Sequence, residues 1–270
     1  MSMSTPTTFG RRALPFLIAV GVCLSAAPAV ASQLDAILKP AQWQVAAPDR
    51  EKLSIVRETA LREVAIALGA RAGLSDRSAE LMRLLDQRSA ALDIQFNFNP
   101  MVIGNSVLPP VISESKDVIA LETSAMRVAG AVYRIDEPAR FALPTPTWRN
   151  WMYVGLGVSE VTLPTQAAAL PQNAVEQAYW ERTVREGYEL GRKQAQSVYD
   201  LNLSRLERAH SGMRLYFDLW RRGMVSAPTV ASSSELVANE GDSTISVGNT
   251  LFRITAPSGF TKPDGWTPLE

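Results

Sequence analysis

The chain is poor in the residues that build reactive or metal-binding centres. It has one cysteine and one histidine in 270 residues. Those counts exclude a Cys/His zinc site, most multi-histidine metal sites and a disulfide framework. It also has no excess of charge of either sign: Lys+Arg is 27 and Asp+Glu is 27. A general nucleic-acid binder draws its affinity from surplus lysine and arginine, so that class is disfavoured. Beyond the first thirty residues no stretch holds 18 consecutive apolar residues, so no transmembrane helix is expected there. No Gly-rich phosphate loop and no G-x-S-x-G elbow occurs. The 46% hydrophobic and 20% charged residues that remain are enough for a globular core.

Residues 1–31 contain no acid. Arg11 and Arg12 precede an apolar stretch from Ala13 to Leu24, and small residues lead to Ala29-Val30-Ala31. This is the order of a secretory signal peptide, and it predicts cleavage between Ala31 and Ser32. Leu14 and Pro15 replace the Phe-Leu expected after a twin-arginine pair. Cys23 is a second candidate for processing, by lipidation, but Val22 stands where a lipobox carries a small residue. Cleavage after Ala31 discards Cys23 and leaves a chain without an acyl anchor, a single periplasmic domain of residues 32–270.

Residues 32–48 read as a lead-in. Asp49 then caps a helix over 50–69, on which Leu53, Val56, Ala60, Val64 and Ala67 recur at helical spacing, with Gly69 or Gly73 as the stop. Ser75-Asp76 caps a second helix. Leu92, Ile94, Phe96 and Phe98 alternate with polar residues, which predicts a strand. Asn173 opens the longest helical stretch, about 173–222. Gly187, Gly191 and Ala195 form a small-residue stripe on it, ringed by charged side chains, which predicts close packing against another element. A helix of that length spans roughly 75 Å, so a break is expected near Asp200-Leu201-Asn202 or Ser211-Gly212.

The segment Met126–Phe141 (MRVAGAVYRIDEPARF) repeats without a gap in Ile245–Phe260 (ISVGNTLFRITAPSGF). Val128, Arg134, Ile135, Pro138 and Phe141 match Val247, Arg253, Ile254, Pro257 and Phe260. With single-residue shifts the match extends over about 110–148 and 228–266. Each copy reads as a β-meander: strands at 117–121, 125–129 and 131–136, and at 236–239, 244–247 and 250–255. Gly130 and Gly248-Asn249 would turn the chain, and Pro138 and Pro257 would end it. The fold class expected is α+β, two related β-units separated by a long helix, with a pseudo-two-fold axis where copies meet.

No catalytic, cofactor or metal residue emerges. His210 lies inside the long helix and reads as structural. Glu114 beside Asp117, and Glu235 beside Asp242, could serve as carboxylate pairs of a cell-wall hydrolase, although 27 acids produce such neighbours by default. Trp148, Arg149, Trp151 and Tyr153 cluster after the first β-unit, and Trp180 sits near the start of the long helix. Trp, Tyr and Arg dominate protein interfaces, so these five residues are the candidate partner surface.

Several segments together resemble one family. They are Val107-Leu108-Pro109-Pro110-Val111-Ile112, Tyr133-Arg134-Ile135, Ala139-Arg140-Phe141, Pro146-Thr147-Trp148-Arg149, the Trp180 helix, and Gly223-Met224-Val225-Ser226-Ala227-Pro228. In this order they resemble the DotC/TraI family of type IVB secretion and IncI-type conjugation systems, over about residues 50–260. The resemblance implies a non-enzymatic subunit of the outer-membrane core complex. It implies DotH-like and DotD-like partners, several copies in a ring, and no cofactor. Known members are lipoproteins, and Val22 departs from that pattern. Two other classes fit the residues alone: a periplasmic enzyme acting on peptidoglycan through a carboxylate pair, and a soluble periplasmic ligand-binding protein.

Overall fold

The computed structural model describes residues 33–38, 54–104, 106–122, 125–239 and 245–266. The signal segment, its cleavage site and Cys23 lie outside the described residues, as does Asp49.

Three helices build the body: α1 (Gln33–Leu38), α2 (Ile55–Gln87) and, far along the chain, the helix Ala174–Arg221. A short helix α3 (Ser89–Gln95) follows α2. Then come the strands β1 (Val107–Leu108), β2 (Val111–Glu122), β3 (Ala125–Glu137) and β4 (Arg140–Phe141). The helical turn α4 (Arg149–Met152) precedes the long helix, here α5, and strands β5 (Thr229–Asn239) and β6 (Ile245–Ala256) complete the chain. The class is α+β, as the sequence suggests.

Local structure departs from expectation in four places. First, α2 starts at Ser54, whose Oγ accepts the Arg57 N–H at 3.3 Å, and runs unbroken through Gly69, Gly73 and Ser75-Asp76. Ser75 is buried and spends its hydroxyl on tertiary bonds, donating to the Ser159 carbonyl (2.8 Å) and accepting its N–H (3.0 Å). Second, Leu92–Gln95 is the end of α3, not a strand. Leu92 and Phe96 are four residues apart, a helical spacing that the alternation hides, and Ile94 is 82% exposed while Phe96 and Phe98 are buried.

Third, α5 has no break. Asn202 donates to the carbonyls of Met152 (3.3 Å) and Val154 (2.6 Å), so its side chain does not compete for its own helix backbone. Gly212 is needed for space: a Cβ there would stand 2.5 Å from Val111 Cγ1 and 2.9 Å from the Ile112 carbonyl oxygen. Fourth, each repeat folds as a two-stranded antiparallel hairpin, β2–β3 and β5–β6, not a three-stranded meander. Gly130 lies inside β3, and Gly248-Asn249 lies inside β6. Residues 123–124 and 240–244, between the paired strands, lie outside the described residues. Pro138 and Pro257 do end their strands.

The duplication is larger than the β-units. Through β2 and β5 the offset is 118 residues, which matches Gly69 and Gly73 of α2 with Gly187 and Gly191 of α5 and Val107 with Val225; from β3 and β6 on it is 119, as between Met126 and Ile245. Both hairpins carry a register shift at the same place, after Val111 in one and after Thr229 in the other. Both are closed at the base alike. Val107 pairs with Phe141, and Val225 bridges Phe260. Ala142 N–H donates to Ser106 O at 2.8 Å, and Thr261 N–H to Met224 O at 3.0 Å. The chain is thus two helix–hairpin units.

Their helices meet, rather than their sheets. The helices α2 and α5 run parallel and are joined by polar pairs: Arg57 binds Glu176, and Arg77 Nη2 donates to Gln196 Oε1 at 2.8 Å. Their close contacts are reciprocal at an offset of 118 residues: a Cβ on Gly69 would meet the Val184 carbonyl oxygen as one on Gly187 meets that of Ile66, which marks an approximate two-fold axis lying along the pair. Gly69, Gly73, Gly187 and Gly191 line the crossing. A Cβ on any of them would strike backbone of the opposite helix, for Gly187 the Ile66 carbonyl oxygen at 2.5 Å. The close packing expected of the glycine stripe is therefore present, and a Gly-x-x-x-Gly pair from each helix provides it.

Hydrophobic clusters succeed one another along this pair. Leu61, Leu68, Trp180 and Val184 pack with Ile37 and Leu38 of α1 at one end. Leu81, Leu156 and Ala195 fill the middle. Beyond them Phe98, Leu108, Trp148, Met152, Leu206 and Met213 form a larger cluster. Ile112, Tyr216 and Leu219 seal the base of the first hairpin.

Candidate interaction surface

The aromatic cluster after the first hairpin is built by that hairpin's closure. The β1–β4 pairing holds Arg140 and Phe141 beside Val107 and Leu108, and the chain then leaves through a cis Leu143–Pro144 bond. Thr147 stops this loop: its N–H and hydroxyl both donate to Asn150 Oδ1, at 2.8 and 3.3 Å. The turn α4 begins there, which fixes Trp148, Arg149, Trp151 and Tyr153 on successive sides of one short helix.

These four residues do different jobs. Trp148 is fully buried, and its indole N–H donates to Asp93 Oδ1 at 2.7 Å. Arg149 donates to the same oxygen at 2.8 Å and lies over the Trp148 ring, 4.3 Å from its centroid. The Arg149 guanidinium and then the Trp148 N–H hold the Asp93 carboxyl below the usual carboxylate range. Tyr153 meets Trp148 edge-on at 5.7 Å and donates its hydroxyl to Asp86 Oδ1 at 2.5 Å. Burial, and then that bond to a carboxylate, push its phenol pKa up. Trp151 is half-buried and stacks on Phe98 at 4.8 Å.

Trp151 is also the floor of an open pocket of about 520 Å³, walled by Arg140, Phe141, Leu143, Pro144 and Asn150. Two apolar side chains stand accessible at its rim: Phe141 is 38% and Leu143 83% exposed. Arg140 is the charged residue of the lining, and no nucleophile–base pair faces the cavity. The arrangement suits gripping an apolar side chain beside a cation.

The five residues of the expected partner surface are thus not one surface. Trp148 is a core residue, because its ring fills the cluster under α4. Trp180 is also a core residue, and it belongs to the other end of the helix pair. It is fully buried against α1 and donates its indole N–H to the Ile37 carbonyl at 3.0 Å. Trp151, with Arg149 and Tyr153 beside it, keeps an outward face. Phe141, Leu143 and Pro144 complete that face. The signal for them was already in the sequence, in the Phe-x-x-Pro shared by both repeats, and its proximity to Trp151 follows only from the β1–β4 pairing.

The other candidate chemistry is engaged elsewhere. His210 sits between the rings of Phe98 (5.3 Å) and Phe96 (5.4 Å), and burial, then Arg214, lower its pKa. Glu114 accepts the Tyr133 hydroxyl at 3.0 Å, which with burial raises the Tyr133 pKa. The side chains of Asp117, Glu235 and Asp242 lie outside those described. Among the described residues no group of three or more His, Cys, Asp or Glu stands together to hold a metal ion, and no helix is long and apolar enough to cross a membrane.

The family described as "type IV secretory system, conjugal DNA-protein transfer" matches residues 55–268. The match starts at the first residue of α2 and takes in both helix–hairpin units. No curated protein matches the chain.

Proposed function

The chain belongs to that type IV secretory system family, and from this membership we propose that it is a structural subunit of the machine's outer-membrane core complex, acting in the periplasm and catalysing no reaction. After export and cleavage before Ser32, residues 32–270 work as one domain. The domain associates with the outer membrane through other subunits, a DotH-like channel protein and a DotD-like lipoprotein, and stands in several copies around the channel. The helix pair is the rigid element. The pocket of Trp151, Phe141 and Leu143 is the surface that meets a partner.

The observation that carries this reading is the accessible aromatic pocket set on a locked scaffold. Its floor is fixed by stacking on Phe98 and its wall by the β1–β4 pairing. Anchors of that kind, large and held in place before binding, give interfaces most of their energy. The test is a clean deletion in a donor cell, with transfer of DNA or protein measured and the DotH-like subunit localised by fractionation. The expected outcome is loss of transfer with that subunit absent from the outer membrane. Normal transfer without this chain would overturn the reading. So would release of muropeptides by the purified protein.

A further inference from the structure

The two hairpins are copies, yet among the described residues only the first is covered by a helix. The last turns of α5 lie along the base of the first hairpin. Gly212 admits the backbone of Ile112, and Tyr216 and Leu219 close over it, so that Ile112 is 1% exposed. Tyr133 and Ile135 pack on the same cluster. The register pairs Ile112 with Ile135 and Glu114 with Tyr133, and in the second hairpin it pairs Val230 with Ile254 and Ser232 with Phe252. Both sets follow the same register shift, so Val230, Ile254 and Phe252 are the counterparts of Ile112, Ile135 and Tyr133. No helix among the described residues packs along β5 or β6. Phe252 is 40% exposed, and Val230 is only half-buried.

The missing cover has a visible cause. By the 118-residue equivalence that relates Ile112 to Val230 the covering stretch should come from the continuation of α2. That helix ends at Gln87, and the chain turns at Arg88 into α3. The residue in the place of Gly212 is Ile94, in the last turn of α3 and 82% exposed. Among the described residues the first unit therefore offers no helix to the second hairpin.

Charge says what would fit. On the first hairpin the covered face carries Glu114, and α5 brings Arg222 near Tyr133. On the second, Ser232 and Phe252 replace Glu114 and Tyr133, and the side chains beside them, Ser234 and Thr250, are uncharged. We propose that this face of the second hairpin receives an amphipathic helix from another subunit of the secretion machine. The docking face of that helix is uncharged, with a glycine or alanine followed four and seven residues later by aromatic or leucine side chains, as in Gly212, Tyr216 and Leu219 of α5. The inference rests on the proposed role as a core-complex subunit, and it adds where and by what kind of element that role is exercised.

The experiment places a photo-crosslinking phenylalanine at position 252, and separately at 251 on the opposite face, in the full-length chain within cells carrying the complete machine. Mass spectrometry then maps the adducts. The expected result is an adduct from 252, not from 251, on a helical segment of a different subunit with the stated spacing. An adduct with a second copy of this chain, with a strand, or none at all would overturn the proposal. In parallel, Phe252→Glu is expected to lower transfer at least tenfold at unchanged cellular level and thermal stability, with Leu251→Glu within twofold of wild type. Normal transfer by Phe252→Glu in a cell where deletion abolishes transfer sinks the docked helix alone. Normal transfer by the deletion sinks the functional reading itself.

Discussion

Arg57 in the first turn of α2 and Glu176 in the first turn of α5 bind each other, Nε to Oε1 at 3.0 Å and Nη2 to Oε2 at 2.9 Å. The Arg57 guanidinium also donates to the carbonyls of Ala168 and Leu170, and the Gln172 N–H donates to Glu176 Oε2 at 2.8 Å. One bidentate pair therefore ties the start of both helices to the segment leading into α5. The glutamate is nearly buried and the arginine about a quarter exposed, so losing the arginine leaves a carboxylate with little access to water. We expect Arg57→Ala to cost about 2 kcal/mol in denaturant unfolding.

The same pair has a pH signature. The Arg57 guanidinium, and then the Gln172 N–H, hold the Glu176 carboxyl below its usual range. Between that lowered value and the unfolded value near 4.3 the unfolded chain binds more protons, so stability there rises with pH. The contribution is complete above the unfolded value and is lost as pH falls through the folded one. Unfolding curves from pH 6 to pH 3 should show the advantage of the native chain over Glu176→Gln shrinking toward the acid end. An advantage that stays constant would show that the ion pair does not carry it.

The helix crossing predicts a sharp contrast among glycines. At Gly191 a methyl group would strike the Ala70 carbonyl oxygen, and at Gly73 the Tyr188 carbonyl oxygen. These are backbone atoms of rigid helices, which cannot step aside. Gly191→Ala and Gly73→Ala are each expected to lose about 3 kcal/mol or to prevent folding. At Gly130 nothing stands within 4 Å of a Cβ and φ is not positive. Gly130→Ala should be neutral or stabilising by about 0.5 kcal/mol. Thermal unfolding of the three variants checks the contrast.

Much of this architecture is legible from residues whose physics is local. The Asn173 cap, the strand-ending prolines and the small-residue stripe of α5 each act within a few positions, and each appears where the sequence places it. What is hidden depends on distant partners. Ser75 looks like a cap because Ser usually bonds nearby backbone, yet its hydroxyl is taken by Ser159. Asn202 looks like a break point, yet its amide is taken by the carbonyls after α4. Gly130 looks like a turn, yet β3 runs through it. The helical half of the duplication keeps only scattered matches, Gly69 and Gly73 with Gly187 and Gly191 among them. It shows once those glycines are seen to make reciprocal contacts across the crossing. For the candidate surface the composition identifies tryptophans but not which of them face outward, since that is decided by the β1–β4 closure.

His210 should titrate low and should weaken the fold in mild acid. Its ring packs against Phe96 and Phe98, and burial, with Arg214 adding repulsion, lowers its pKa below the ordinary 6.5. The unfolded chain takes up the proton first as pH falls, so stability drops as pH descends from about 6.5 through the folded value. The chain has a single histidine, which makes its ring signals in a proton NMR titration unambiguous. The expected midpoint lies below 6.5, and His210→Leu should show no loss of stability across that window. A midpoint at or above 6.5 would mean that the ring is hydrated and that the aromatic packing around it is not as described.

Trp148 and Trp151 are three residues apart and should fail in opposite ways. Trp148 fills the core and satisfies its N–H on Asp93, so Trp148→Ala opens a cavity and strands a carboxylate. It should cost about 3–5 kcal/mol and lower the amount of folded protein. Trp151 gives one face to Phe98 and the other to the open pocket. Trp151→Ala also loses some stacking, so its comparison variants are Phe141→Ala and Leu143→Ala, whose side chains stand at the rim and support little of the core. If the pocket is the partner surface, Phe141→Ala and Leu143→Ala reduce co-purification of the DotH-like subunit at least tenfold with a melting temperature within about 2 °C of wild type. Trp148→Ala should lower recovery of the complex only in proportion to its loss of folded chain. Rim variants that bind normally would move the partner surface elsewhere on the molecule and leave the pocket as a by-product of the hairpin's closure.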